Sequence, residues 1–518
     1  MKKVVIIGGG IAGLSAGIYA LKAGYKAEIY EKNSAPGGNC FGWRRGDYFI
    51  DNCIHWMTGT KQDTPQYAIW KELGALNDDV KIIERESFYV SEYNGEKITL
   101  WRDIDRTERE LLELSPADEH QIKKFIKYVK LGRALQTHRE DPSEMGQMLL
   151  PVQVIHGMLD YGGLSLETLS EKFEHPLIKK MFLDFMAKEY EAYWLVMAYS
   201  FFISGNGDIP EGGSMRIVQN LVDTFTALGG VLHTNSQVDK VLVDKRRFKA
   251  NARIFNPRDM RLSGIKKVVQ RKIAGVVLSD GKPVKGDYYI FACGIHYTFN
   301  RLLGKKHMPK RIKKLLKDRR EHHIYSSYQV AFSVDSEMPE IDDTLSFDCE
   351  PIDVGRRIVD RICVKNYRVY GDYIAPKGHT VIQCSIVQYK EDYKYWEKLY
   401  SDRERYRQAK QNVAMAVLSR IEQRFPQYAD RIEILDCWTP MTYYRQNFCE
   451  YGAYMRYITT AASTKAFLPS TIKGLSNAFL AGHSLRYPGG IPTAASTGKK
   501  AVEKICGSEY NGYSRGAT

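Results

Sequence analysis

Val4-Val5-Ile6-Ile7-Gly8-Gly9-Gly10-Ile11-Ala12-Gly13 is the stretch that decides the fold. Four β-branched residues in a row mark a strand buried on both faces, as in a parallel sheet. The glycines follow at once, and Leu14, Ile18 and Leu21 then take up helical spacing. Gly8 suits the tight turn, Gly10 lets the backbone approach a pyrophosphate, and Gly13 lets helix and strand pack closely. The helix start adds free N–H donors and the positive end of a dipole. Ala27-Glu28-Ile29-Tyr30 reads as the second strand, and Glu31 at its end stands where a ribose hydroxyl needs an acceptor.

Strand, turn, helix, strand and acid thus occur in order within 31 residues, which predicts a dinucleotide site. Lys26 and Lys32 flank the second strand, but no arginine directly follows Glu31, which disfavours a 2′-phosphate. Pro36-Gly37-Gly38 follows after a short loop. A second glycine pair at that distance is the pattern of two-motif FAD proteins, and FAD is the expected cofactor.

The chain has 518 residues, enough for two or three domains. Its net charge of +14 points to an anionic partner, with a membrane surface or acidic substrate ranked above nucleic acid because no nucleic-acid module is present. The nine cysteines are scattered, with no CxxC, so no metal site and no disulfide framework is expected. The nucleotide motif at the N-terminus leaves no room for a signal peptide. The most apolar run, Ala192 to Ile203, is far short of the roughly twenty residues a membrane span takes. These features predict a cytoplasmic protein resting, at most, on a membrane surface.

Beyond Gly38, Gly42 to Asp51 reads as a hairpin turning at Arg45-Gly46-Asp47. Asn52 to Gly59 reads as a cofactor-lining loop carrying His55 and Trp56. Residues from about 65 to 205 show mostly helical patterns, including Gln121 to Leu135 with Ile122, Phe125, Ile126 and Val129 on one face. Met145 to Tyr161 is apolar around Pro151. The many aromatic residues here suit core packing or the wall of a tunnel. Nucleotide-domain character returns near Gly205, with a helix through Ile217, Leu221 and Phe225 and strands at Val238–Val243, Ile273–Leu278 and Tyr288–Cys293. The basic insertion from Lys245 to Lys272 reads as an extended hairpin. Lys305 to Arg320 reads as a basic helix, either solvated or lying on a membrane surface. Strand-like runs around Tyr328–Val334 and Thr380–Val387 precede a long helix, Asp402 to Phe425. The last motif, Ala478 to Gly482 and then Pro488-Gly489-Gly490-Ile491-Pro492 before a helix from Ala494 to Cys506, is a second place where backbone N–H groups can meet the cofactor.

Taken together, these segments resemble the phytoene desaturase, carotenoid isomerase and retinol saturase group of FAD-dependent oxidoreductases, within the amine-oxidase-like flavoprotein superfamily. Asp51 to Gly59 is similar to that group's loop, with Cys53 in place of its usual glycine. Asp287 to Gly304 and Gly482 to Pro492 complete the likeness. Asn39 stands where an arginine usually follows the glycine pair, which would leave pyrophosphate neutralisation to Arg44 or Arg45. His483 replaces the acid that amine oxidases often carry.

The resemblance implies an α/β protein whose Rossmann-type FAD-binding domain is discontinuous (1–65, 205–300 and 475–506). An inserted α+β substrate domain (66–204 and 301–474) and a flexible tail (507–518) complete it. It places Gly8, Gly9, Gly10, Ile11, Ala12, Gly13, Lys32, Gly37, Gly38, Asn39 and Arg45 about the cofactor's phosphates. Glu31 would hold the adenosine ribose, Val238 would meet the adenine through its backbone, and Gly482 with Gly489 to Pro492 would lie at the flavin. Asp51, His55 and Trp56 would lie near its ring. His55 is the first candidate for proton transfer, ahead of His483, Arg486 and Tyr443. The implied activity is desaturation, saturation or isomerisation of an apolar polyene, retinoid or unsaturated lipid by hydride exchange with flavin N5. An amine oxidase and a non-enzymatic prenyl-lipid escort protein are the alternatives on the same fold. The electron partner is not specified by any motif.

Overall fold

The computed structural model describes residues 1–137, 157, 160–246, 248–256, 261–317, 322–455, 457–458, 460, 468–487 and 489–513. Most of the apolar stretch around Pro151, together with Arg258, Arg319, Arg320 and Pro488, lies outside these. The chain forms two compact units. One comprises Met1–Gly38, Val218–Asp318 and Ala466–Thr518, the other Asn39–Ile217 and Arg319–Lys465.

The first unit is built on five parallel strands: Lys3–Ile7 (β1), Lys26–Tyr30 (β2), Val231–His233 (β3), Tyr288–Phe291 (β4) and Ala478–Leu480 (β5). Their spatial order is β3-β2-β1-β4-β5. This is the Rossmann order, and it reverses at β1, the switch point outside which such sheets bind dinucleotides. Val4, Val5 and Ile6 are fully buried, as a central parallel strand requires. Helices Ile11–Lys22 (α1), Gly213–Ala227 (α2), Lys310–Lys317 (α3) and Gly490–Tyr513 (α4) accompany the sheet. The division between the units falls within α2.

Helices α1 and α4 pack together, and the contacts Ser15–Ala495, Tyr19–Lys499 and Tyr25–Cys506 advance along both chains in step. They therefore run in the same direction, and their N-termini come to the same end of the unit. The basic insertion forms the antiparallel hairpin Phe248–Asn256 with Arg261–Gln270. Helix α4 begins four residues before the expected Ala494 and continues to Tyr513, so the segment expected to be a loose tail after Cys506 is helical over its first half.

The second unit holds a seven-stranded mixed sheet in the order Ile432–Trp438, Ser326–Val334, Thr380–Gln388, Ile358–Asn366, Thr344–Asp353, Ser87–Tyr93, Glu96–Trp101. Every residue of Ser326–Val334 is buried. Helix Arg403–Arg424 lays Val413, Ala414, Val417 and Ile421 onto one core. Helix Glu119–Thr137 contributes Ile122, Phe125, Ile126 and Val129 to another, together with helix Tyr193–Ile203 and Phe88.

The unit boundaries differ from the expected domain limits. Residues 39–65 and 205–217 belong to the second unit, and 301–318 and 466–474 to the first. The reason is bonding. Met57–Thr58 pairs with Gly207–Pro210, which pairs in turn with Ile82–Ile83, and the Asp51 carboxylate is tied to Ser214. The loop and the segment that re-enters near Gly205 thus hold each other.

Candidate functional site

In the first unit the glycine segments meet. Gly37 N–H donates to the Gly9 carbonyl at 2.9 Å, and Gly10 and Gly37 form a parallel bridge. Gly38 has φ +64°, and a Cβ there would lie 3.2 Å from Gly10 Cα, so this position favours glycine. The Gly10 N-cap carries no side-chain hydrogen bond. The first-turn N–H groups of Ile11, Ala12 and Gly13 therefore keep the orphan donors and dipole end that suit an anion. Gly13 is required by contact, because a Cβ there would sit 1.9 Å from the Gly8 carbonyl oxygen. Gly489 and Gly490 open α4 at the same end, and Gly482 N–H donates to Thr497 Oγ1 at 2.9 Å. Gly498 lets α4 approach α1, since a Cβ there would lie 2.6 Å from the Ala12 carbonyl oxygen.

Glu31 is buried. Its carboxylate accepts from Gly9 N–H at 2.7 Å and from Asn33 N–H at 2.9 Å. It therefore fixes the glycine turn as well as standing at the end of β2, and each oxygen retains a lone pair for a further donor. Its carbonyl accepts from Ser236 N–H at 2.7 Å, which brings the approach to Val238 alongside. Lys32 Nζ donates to Asn33 Oδ1 at 2.9 Å. Glu31→Ala should weaken FAD binding about tenfold to a hundredfold, the loss typical of a charged acceptor. It should also lower the melting temperature by freeing Gly9. Titration of flavin into the apoprotein checks this, and unchanged affinity removes Glu31 from the site.

The second unit carries Asn39, Arg45, Asp51, His55 and Trp56, and it assigns the first three to protein contacts. Arg45 sits half-exposed on the hairpin Gly42–Arg45/Tyr48–Asp51, and its guanidinium pairs with Asp436. Asn39 is held by Asn447 and by the Tyr454 carbonyl. Asp51 is 1% exposed. Its Oδ1 accepts from Cys53 N–H, Ile54 N–H and Ser214 Oγ, and its Oδ2 from Ser214 N–H at 2.8 Å. A carboxylate has about four acceptor positions, so this one is filled and serves to brace its loop. The side chains of these three residues thus all have partners within the protein. Gly213 has φ +55°, and a Cβ there would lie 2.2 Å from Asp51 Oδ2, so the turn that delivers Ser214 needs glycine.

His55 is clamped from one short segment. Tyr367 Oη lies 3.0 Å from its Nδ1, and Tyr370 O–H lies 3.0 Å from the carbonyls of both Ile54 and His55. Desolvation, reinforced by the nearby charges of Lys365 and Arg85, pushes the imidazole down to about 4, against the opposing pull of Asp343. His55 is therefore neutral at pH 7. Arg85 and Lys365 both grip the buried Asp343, at 2.8 and 2.6 Å. Trp56 meets Phe88 edge-on, with centroids 6.2 Å apart, at the margin of the aromatic cluster formed by Phe88, Phe185, Tyr199 and Phe202.

Residues 11–506 match the family described as flavin containing amine oxidoreductase. The chain belongs to that family. Within it, curated relatives are carotenoid enzymes. The chain is 23% identical over 534 residues to a 4,4'-diaponeurosporene oxygenase of Staphylococcus haemolyticus, covering 97% of each chain. It is 24% identical over 282 residues to a lycopene-forming phytoene desaturase of Pseudescherichia vulneris, covering 49% of this chain and 54% of that one. Among solved structures, an oxidoreductase from Methanosarcina mazei aligns with TM-score 0.57 at 17% identity over 97% of this chain and 100% of its own. Cyclohexylamine oxidase from Brevibacterium oxydans IH-35A aligns at 0.56 and 15%, over 98% and 99%.

Membership establishes a flavin-containing oxidoreductase with FAD as its cofactor, as the motifs led one to expect. The cradle fits the group: glycines without side chains, uncapped N–H donors and a buried acid occur together at the sheet's switch point. Tyr367 and Tyr370 against His55, and Gln383 and Ser214 against Asp51, are neighbours that no local sequence signal marks.

Proposed function

We propose that this enzyme desaturates, saturates or isomerises C–C or C=C bonds of an apolar polyene, retinoid or unsaturated lipid. The observation that carries the proposal is the neighbourhood of His55. A neutral imidazole, with Tyr367 Oη on its Nδ1 and Tyr370 holding the backbone carbonyl of the same residue, shares its loop with Trp56, whose ring joins an apolar aromatic cluster. A long hydrocarbon is compatible with such walls, and the Asp51 carboxylate beside this loop is already filled by protein donors. The names of the carotenoid relatives support the same reading. Bound FAD supplies hydride exchange with carbon. The chain's part is to bind it through the glycine cradle, to exclude water with aromatic side chains, and to accept a proton at His55. Incubating the purified flavoprotein anaerobically with polyenes, retinol, unsaturated lipids and amines, with product analysis, tests this. Turnover of amines alone would overturn it.

Docking on an anionic membrane surface belongs to the same reading, because such a substrate resides in bilayers. No helix among the described residues is long and apolar enough to cross a membrane. In α3, Ile312 and Leu315 are buried within the protein, so this helix does not lay an apolar face into lipid. Lys310, Arg311, Lys313, Lys314 and Lys317 remain exposed on its other side. Each cation near an anionic leaflet adds about 1 kcal/mol, screened over about 8 Å at physiological salt. The protein should sediment with anionic vesicles at low salt, leave them as salt rises, and ignore neutral ones. Lys313→Glu, Lys314→Glu and Lys317→Glu together should weaken sedimentation with the flavin spectrum intact. Equal partitioning to both vesicle types would sink electrostatic docking.

A further inference from the structure

We infer that Gln383 and Tyr367 are positioning residues that set the tautomer of His55, placing its proton on Nδ1 and leaving the Nε2 lone pair free to take a proton. The inference rests on the proposed role of His55 and adds the device that prepares it. Gln383 Nε2–H donates to the Asp51 carbonyl at 3.0 Å. Turning the amide over would set its oxygen against that carbonyl, acceptor against acceptor, so the Gln383 orientation is fixed. Its Oε1 then faces Tyr367 Oη at 3.2 Å.

Oε1 can only accept, and Tyr367 has a single hydroxyl proton. The proton therefore points to Gln383, and Tyr367 Oη presents lone pairs to His55 Nδ1 at 3.0 Å. Nδ1 must then be the ring's N–H. The opposite assignment, with Tyr367 donating to Nδ1, leaves Oε1 facing a second acceptor in a buried place, where an unmade hydrogen bond carries the desolvation penalty of the group. The Asp51 carbonyl, 3.4 Å from Tyr367 Oη, is a longer alternative acceptor for the same proton and leads to the same tautomer.

The surroundings keep the ring in this state. Arg85 and Lys365 share the single carboxylate of Asp343, so the buried cluster beside His55 carries an excess positive charge. That charge and burial disfavour an imidazolium. The Asp51 carboxylate is filled by Cys53, Ile54 and Ser214, so it does not draw the proton away. His55 is thereby a neutral acceptor with a defined reactive nitrogen.

The experiment uses the full-length flavoprotein with ¹⁵N-labelled histidine, in which nitrogen spectra at pH 7 separate protonated from bare ring nitrogens. His55 signals are identified as those missing from His55→Gln. The expected result is a protonated Nδ1 and a bare Nε2. A protonated Nε2 in the wild-type protein overturns the inference. Gln383→Leu removes the acceptor that orients Tyr367. In it a measurable share of His55 should convert to the Nε2–H form, and an unshifted tautomer overturns the role of Gln383. Should that variant not fold, the wild-type spectrum alone decides between the two tautomers. Turnover of His55→Gln reports separately on the proposed function. Full activity would remove His55 from the chemistry while leaving its tautomer as assigned.

Discussion

Gly10→Val should give a folded protein without flavin. At Gly10 a Cβ would sit 3.6 Å from Gly38 Cα and 3.8 Å from the Gly37 carbonyl oxygen, ordinary contact distances. The first carbon is thus accommodated by the protein, but it fills the gap between the two glycine segments, and the valine methyls extend beyond it. That gap is where the pyrophosphate must approach the backbone. Affinity should fall on the order of a thousandfold or more, about 4 kcal/mol. Gly13→Ala makes the control. Its Cβ would lie 1.9 Å from the Gly8 carbonyl oxygen, and Gly8 is itself tied to Tyr30 by a 2.9 Å hydrogen bond. Neither side can retreat without separating α1 from the sheet, so this smaller substitution should cost the fold of the first unit. Absorbance of the purified proteins and FAD released on denaturation measure occupancy, and circular dichroism melts measure folding. A flavin-replete Gly10→Val protein would mean that the glycine turn has been misread.

The first unit was legible because its signals are local. Each of β1, α1 and β2 is specified by its own run of residues, and Gly8 to Glu31 spans a single β-α-β unit. The second unit was less so. The region from 65 to 205 reads as helical, yet it contributes Ser87–Tyr93 and Glu96–Trp101 to the large sheet, joined at Asn94-Gly95, both with positive φ. Asn-Gly is a strong hairpin signal. The helical patterns on either side outweighed it. Ile358–Asn366 and Thr344–Asp353 also went unread, because exposed charged positions interrupt their apolar alternation. At the site, the loop carrying His55 was legible, but what holds it was not. Tyr367 lies 312 positions away and Ser214 lies 163 from Asp51, and no local pattern encodes such pairings. The same distance hid the partners of Asp51: its carboxylate looks available until the hydrogen bonds from Cys53, Ile54 and Ser214 are known.

Asp51→Ala should destabilise the second unit strongly. Burial raises the Asp51 carboxyl above its ordinary 3.8, while hydrogen bonds from Ser214, Cys53 and Ile54 pull it partly back. Without the side chain, the N–H groups of Cys53 and Ser214 and the Ser214 hydroxyl lose their acceptor, whereas Ile54 N–H keeps Ser214 Oγ at 2.9 Å. Three donors at about 1–3 kcal/mol each, offset in part by no longer burying a charge, give a loss on the order of 4 kcal/mol. The pH dependence gives a second reading. Because the folded carboxyl is raised above 3.8, the folded state takes up its proton first as pH falls. Asp51 then contributes stability that grows as pH drops through the folded value toward 3.8 and vanishes as a gain above it. The gap between wild type and Asp51→Ala should therefore widen on acidification, while all other carboxylates cancel in the difference. Urea unfolding of both proteins at pH 7 and near pH 4 measures it. Equal stability at both values would show that Asp51 is a solvated loop residue and that Ser214 is positioned by other means.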